Sequence, residues 1–184
     1  MIAAVAEIET LPDDETLLLR VATGDRESFR TLYERHRARV FHVAYRVTGN
    51  ADDAEELTQE TFLTLYREAR SVEGRARFTT WLTSIVLNKS INLAKQRQGR
   101  STLLKRFFGR PREAERPRQP DAAQGLLDRV AERYRAVLTL RYVMGYSHEE
   151  IAETLDCPVG TAKSKLFQAH QAVRRAIEGE GEDE

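Results

Sequence analysis

Apolar residues recur along this 184-residue chain at three- and four-residue spacings, and nearly every periodic segment therefore predicts a helix. A short opening helix is expected from about Asp13 to Thr23, stopped by Gly24. From Asp25 a long segment sets Phe29, Leu32, Tyr33, Val40, Val43, Ala44 and Val47 at helical spacing, and Gly49-Asn50 ends it. The next segment starts near Asp52, whose side chain can cap free backbone amides, and carries Ala54, Leu57, Phe62 and Leu65 toward Arg70. Another places Phe78, Trp81, Leu82, Ile85, Val86 and Ile91 before about Arg97. These four helices make an N-terminal helical domain.

The pattern breaks from Gly99 to Gln124, where Pro111, Pro117 and Pro120 sit among many arginines. That composition reads as a mobile basic linker. Its one apolar island, Leu103-Leu104 with Phe107-Phe108, is too short for a domain and suits either a helix extension or a docking segment. Beyond it, Leu126, Leu127, Val130, Tyr134, Val137, Leu138 and Tyr142 form one amphipathic run to Met144, broken at Gly145. Ser147 and Glu150 match a Ser-x-x-Glu capping box at the start of the following helix. That helix ends near Leu155, where Asp156 tolerates the left-handed conformation usually given to glycine. After the Cys157-Pro158-Val159 turn, the last helix runs from about Gly160 to Ile177, completing a helix-turn-helix. The expected class is all-α: a helical domain over 1–98, a linker over 99–124, a helix-turn-helix domain over 125–178 and an acidic tail over 179–184.

Composition adds bounds. The single cysteine, Cys157, has no internal disulfide partner and no second Cys or His at metal-ligand spacing, so a reducing cytoplasm without a zinc site or cofactor is expected. Met1 to Leu11 carries Glu7 and Glu9, no Lys or Arg, and no apolar core of signal-peptide length. No stretch approaches a membrane span, so neither secretion nor membrane insertion is expected. The net charge of zero hides an asymmetry: residues 1–70 carry −5, residues 71–120 carry +9, residues 121–177 carry +1 and the last seven −5. A basic middle between acidic ends suggests separate surfaces for a phosphate backbone and for another partner.

Two ordered sets of motifs then resemble one family. The first contains Gly24-Asp25, Phe29, Leu32-Tyr33, Ala44-Tyr45-Arg46 and Gly49-Asn50, then Asp53 through Phe62, then Phe78-Thr79-Thr80-Trp81-Leu82 with Ile85 and Asn88. The second contains Arg135-Ala136-Val137-Leu138, Leu140-Arg141, Gly145 through Ala152, and Gly160-Thr161-Ala162-Lys163-Ser164-Lys165-Leu166. Together they resemble a bacterial RNA polymerase sigma factor of the compact extracytoplasmic-function group. Asn92 and Lys95 stand where that family commonly has an Asp and an Arg, Val130-Ala131 replaces its Leu-Pro, and Gln168 and His170 replace frequent arginines.

The resemblance implies a sigma factor that binds core RNA polymerase, directs it to promoters and stabilises strand melting, with no catalysis of its own. Asp53, Glu56, Leu57, Gln59, Glu60 and Phe62 would meet the clamp helices of the beta-prime subunit, and the second domain would meet the flap of the beta subunit. The helix's chemistry suits a basic partner with apolar anchors, although acidic helix starts are common for dipole reasons alone. Arg75, Arg77, Trp81, Asn88, Lys89, Lys95 and Arg97 would capture the melted minus-ten element, with Gly74 allowing close backbone approach; Trp81 would touch DNA or fill a helix interface. Thr161, Lys163, Ser164, Lys165, Phe167 and Gln168 would enter the major groove of the minus-thirty-five element, with Arg141 on a phosphate. Phe167 would touch a thymine methyl or pack, and Arg174 and Arg175 would serve phosphates or the helix dipole. A dedicated anti-sigma partner is also implied.

A conventional helix-turn-helix regulator, dimeric on a palindromic duplex, is the alternative from another class; it leaves the first domain unexplained. An enzyme has little support, because His36, His42, His148 and His170 are scattered and no phosphate loop or nucleophile signature occurs.

Overall fold

The computed structural model describes residues 12–71, 77–108 and 122–178. Its helices are α1 (Asp14–Ala22), α2 (Arg26–Thr48), α3 (Ala51–Glu68), α4 (Phe78–Phe108), α5 (Ala122–Asp128), α6 (Glu132–Leu138), α7 (His148–Thr154) and α8 (Val159–Glu178), with no strand among the described residues. The all-α expectation holds.

Local chemistry explains the boundaries. Asp13 accepts from the Thr16 amide at 2.8 Å and so starts α1. Asp25 starts α2 by accepting from the Glu27 amide at 3.0 Å and the Ser28 hydroxyl at 2.7 Å. Gly49 ends α2 at φ 70°, and a Cβ there would also lie 2.6 Å from Asp128 Oδ1. The backbone conformation calls for glycine, and a Cβ would also force the Asp128 carboxylate to shift. The cap of α3 is Asn50, which accepts from the Asp53 amide at 2.9 Å, rather than Asp52. Asp52 lies within the first turn, where its charge still favours the dipole.

In the first module, α2 packs against α3 and α4, burying Leu32, Val43, Val47, Leu65, Phe78, Val86 and Leu87, while α1 closes one side with Leu17, Leu18 and Val21. In the second, α8 packs against α6 and α7 over Val137, Leu140, Ile151, Ala162 and Leu166. Two further sequence expectations change. The helix begun at Phe78 does not stop at about Arg97 but continues to Phe108, so the apolar island at Leu103–Phe108 extends a helix. The single run from Leu126 to Met144 is instead α5, a turn at Arg129–Ala131, α6, and a π-helical turn over Thr139–Val143. The segments 72–76 and 109–121, the acidic tail 179–184 and the first eleven residues lie outside the described residues.

Ser147 accepts from the Glu150 amide at 3.1 Å while the Glu150 carboxylate accepts from the Ser147 amide at 2.9 Å, the capping box expected for α7. Asp156 turns the chain into α8 at φ 46°. Ser147→Ala is expected to cost about 1 kcal/mol, read as faster amide exchange in α7. Unchanged exchange would show that α7 does not depend on this cap.

Candidate nucleic-acid and polymerase interfaces

Three surfaces collect the residues singled out by the sequence, and burial divides each set. On α3, Glu56, Gln59 and Glu60 are exposed, and the same face continues through Leu63 at 53% and Tyr66 at 48% exposure. Asp53, Leu57 and Phe62 point the other way, into the core. Phe62 meets the rings of Tyr33 at 4.8 Å and Phe29 at 6.4 Å, edge to face. Asp53 pairs with Arg97 of α4. Burial pushes the Asp53 carboxyl above its ordinary range, and the Arg97 charge only partly opposes that shift. These three side chains therefore shape the face rather than present it, and Leu63 and Tyr66 are the apolar positions that the sequence reading missed. Their signal was available, because they continue the Glu56–Gln59 spacing by four and seven residues.

On α4, Trp81, Ile85, Asn88, Asn92 and Lys95 follow one another at three- and four-residue spacing and share one face. Asn88, Asn92 and Lys95 are exposed, whereas Trp81 is half-buried with its ring 6.2 Å from that of Phe78. Trp81 thus packs and still presents part of its indole. Lys89 donates to Glu60 at 3.2 Å and Arg97 pairs with Asp53, so each tethers α4 to α3. Arg77 is exposed at the start of α4, while Arg75 and Gly74 lie outside the described residues.

On α8, Ala162, Leu166 and Ala169 are buried, which fixes the helix rotation. The opposite side leaves Thr161, Lys163, Ser164, Lys165, Phe167 and Gln168 exposed, Phe167 by 64%. Phe167 therefore does not pack. The Ser164 hydroxyl donates to the Gly160 carbonyl at 3.0 Å and keeps acceptor capacity. Arg141 donates to the Tyr146 carbonyl at 2.9 Å, bracing the entry to α7. His170, also exposed, hydrogen-bonds the Tyr142 hydroxyl at 2.6 Å. That pair, with Leu126, Leu127, Leu138, Val143 and Val173, lines an apolar cleft of about 520 Å³ that Arg46 of α2 also borders.

The Glu150 carboxyl is held below its ordinary range chiefly by hydrogen bonding to Ser147, backbone amide first, with smaller help from Arg77 and Arg39 of the first module. The two modules also touch directly, α6 and α7 packing against α2 and α4. Arg135 and Tyr146, each known from sequence only as part of a motif, bind across them: Arg135 donates to Val47 O at 3.2 Å, and Tyr146 meets Arg39 and Thr83, each at 3.1 Å.

Comparison with known proteins follows the same division. Residues 32–100 match the family described as Sigma-70 region 2, and residues 121–173 match Sigma-70, region 4. The chain is 34% identical to the ECF RNA polymerase sigma factor SigE of Mycolicibacterium smegmatis, over 89% of this chain and 68% of that one. It is 30% identical to the ECF RNA polymerase sigma-E factor of Escherichia coli, over 90% and 94%. Among solved structures it resembles CnrH in complex with the cytosolic domain of CnrY, with a TM-score of 0.68 and 21% identity over 90% of this chain and 97% of that one. It also resembles RpoE in complex with the anti-sigma factor NepR from Bartonella quintana, with a TM-score of 0.64 and 22% identity over 83% and 98%.

Proposed function

The chain belongs to the extracytoplasmic-function group of the sigma-70 family, and we propose that it joins core RNA polymerase, directs it to specific promoters and stabilises strand opening there. The observation that carries this reading is the rotation of α8: its small buried stripe leaves Thr161, Lys163, Ser164, Lys165, Phe167 and Gln168 together on the outside. The N-terminal half of a helix that follows a helix-turn is the part that meets base edges in the major groove. In this reading Lys163 and Lys165 serve phosphates or guanine acceptors, Thr161, Ser164 and Gln168 hydrogen-bond base edges, and Phe167 meets a thymine methyl.

Strand opening needs a second surface. Unstacked bases are captured by stacking and hydrogen bonding, and exposed phosphates by cations. The α4 face offers the half-exposed indole of Trp81, the amide of Asn88 and the charges of Lys95 and Arg77, with Arg75 adjoining in sequence. The α3 face, acidic at Glu56 and Glu60 and apolar at Leu63 and Tyr66, suits the clamp helices of the beta-prime subunit. The apolar cleft beside Tyr142 suits an apolar segment such as the flap of the beta subunit. The partner proteins of CnrH and RpoE support a protein antagonist of this chain too, acting in the cytoplasm where polymerase works. The protein contributes binding and orientation, and polymerase does the chemistry.

Run-off transcription with purified core polymerase on genomic promoter fragments tests the reading. Discrete starts that require this chain are expected; duplex binding without polymerase-dependent starts would overturn it. At such a promoter, Lys163→Ala with Lys165→Ala is expected to weaken holoenzyme binding and to flatten the slope of log affinity against log salt by about 1.8. An unchanged slope would remove both lysines from the phosphate contacts.

A further inference from the structure

The start of α4 is held from α1, and we propose that α1 is the brace that positions the α4 face for promoter opening, with Glu15 as the positioning residue. This role rests on the strand-opening reading of α4 given above.

A helix start exposes amides that need acceptors, and Arg77, the residue before α4, has no acceptor atom in its side chain. The Phe78 amide that opens α4 donates instead to Glu15 Oε1 at 3.1 Å, on a helix 63 residues earlier. The same carboxylate favours the positive end of the α4 dipole. Phe78 is 1% exposed, and its ring lies 5.1 Å from that of His36 and 6.2 Å from that of Trp81. His36 in turn bonds Asp14 of α1 at 2.8 Å, and Arg35 beside it donates to Asp14 at 3.1 Å and to the Pro12 carbonyl at 2.8 Å. Two neighbouring acids of α1 thus hold the Phe78 backbone directly and, through His36, the ring on which the Trp81 indole packs.

The far end of α1 holds the end of α3. Arg70, just past α3, donates through Nε to the Ala22 carbonyl at 2.9 Å. Eight residues separate Arg70 from Phe78, enough for about 27 Å in an extended chain. Their partners Ala22 and Glu15 are seven residues apart on one helix, or about 10 Å. Because Leu17, Leu18 and Val21 seat α1 on α2, this short strut narrows where α4 and its exposed Arg77 can start relative to α3. A surface ordered beforehand keeps the binding energy that ordering would otherwise consume. Capture of unstacked bases draws on that energy, since it must offset unpairing and unstacking. Gln59, Glu60, Leu63 and Tyr66 take no part in the brace, so assembly with core polymerase is expected to be independent of it.

The test compares Glu15→Ala and Glu15→Gln in the full chain, as holoenzyme on a promoter found by run-off mapping, with 2-aminopurine placed in the segment that melts. Charge alone predicts that removing an acid near DNA speeds opening, whereas loss of the brace predicts slower opening. Glu15→Ala is expected to slow the fluorescence rise about tenfold, with the half-saturating holoenzyme concentration, the melting temperature and the affinity for core polymerase at wild-type values. On a template already unpaired over that segment, its starts are expected to return to within about twofold of wild type. Glu15→Gln, neutral but still an acceptor, is expected to open the duplex within about threefold of the wild-type rate. Opening by Glu15→Ala at or above the wild-type rate overturns the proposal. So does an equal loss on both templates, or a glutamine variant as slow as the alanine one. No polymerase-dependent starts with the wild-type chain would instead sink the promoter reading itself.

Discussion

Gln59→Ala with Leu63→Ala is expected to leave thermal stability unchanged while reducing run-off transcription about a hundredfold, through lost affinity for core polymerase. The two residues lie one turn apart on the exposed face of α3, with Leu63 53% in solvent, so neither truncation opens a cavity. An exposed leucine beside Tyr66, with Glu60 one turn before it and Arg67 one turn after, has the make-up of a binding anchor with a charged rim. Phe62→Ala, on the same helix, is expected to behave in the opposite way. Its ring is 2% exposed and wedged against Phe29 and Tyr33, and emptying that space costs about 3–5 kcal/mol. That is a large part of the stability of an ordinary domain, so activity would fall together with the melting temperature. Melting curves and a core-binding titration on both variants make the comparison. Wild-type assembly by the Gln59/Leu63 variant would remove this face from the polymerase interface.

That contrast marks how far the sequence reaches. Periodicity gives α2 and α7 almost to the residue because their ends carry local signals: the Asp25 side chain and a left-handed Gly49 at the two termini of α2, and the Ser147–Glu150 pair at the start of α7. It gives the apolar stripe of α3 as well, but not which apolar residues are surplus to the core. Phe62 and Leu63 are neighbours in sequence and differ only by helix rotation. The continuation of α4 to Phe108 was legible in the island Leu103–Phe108, yet Gly99 and the surrounding arginines argued for a break. The contact between modules was not legible at all. Tyr146 meets Arg39 and Thr83 from 107 and 63 residues away, and no spacing rule relates positions so distant.

The turn between α5 and α6 shows the same limit and carries the other large expectation. No glycine or proline marks Arg129–Ala131, and the chain instead turns around a guanidinium. Arg135 donates through Nε to Val130 O at 2.7 Å, through Nη2 to Asp128 O at 2.8 Å and through Nη1 to Val47 O at 3.2 Å, with the Asp128 carboxylate at 3.4 Å. Its side chain is 11% exposed, so burial lowers its pKa, partly opposed by Asp128 and Glu132; it remains a cation, because guanidinium titrates far above neutrality. Arg135→Met keeps most of the volume but strips several carbonyl oxygens of their donor and leaves Asp128 without this partner, a loss of about 3–5 kcal/mol. A module as small as residues 122–178 rarely holds more than about 3–5 kcal/mol of its own, so it is expected to unfold near physiological temperature. Trp81 is the chain's one tryptophan and belongs to the first module, which makes the measurement selective. Far-ultraviolet circular dichroism should show an early helical transition, with tryptophan fluorescence melting close to the wild-type temperature. Arg135→Lys keeps the charge but cannot serve the carbonyls as a planar fork, and should fall between the two. Coincident, wild-type transitions in Arg135→Met would show that the α5–α6 turn holds without its guanidinium.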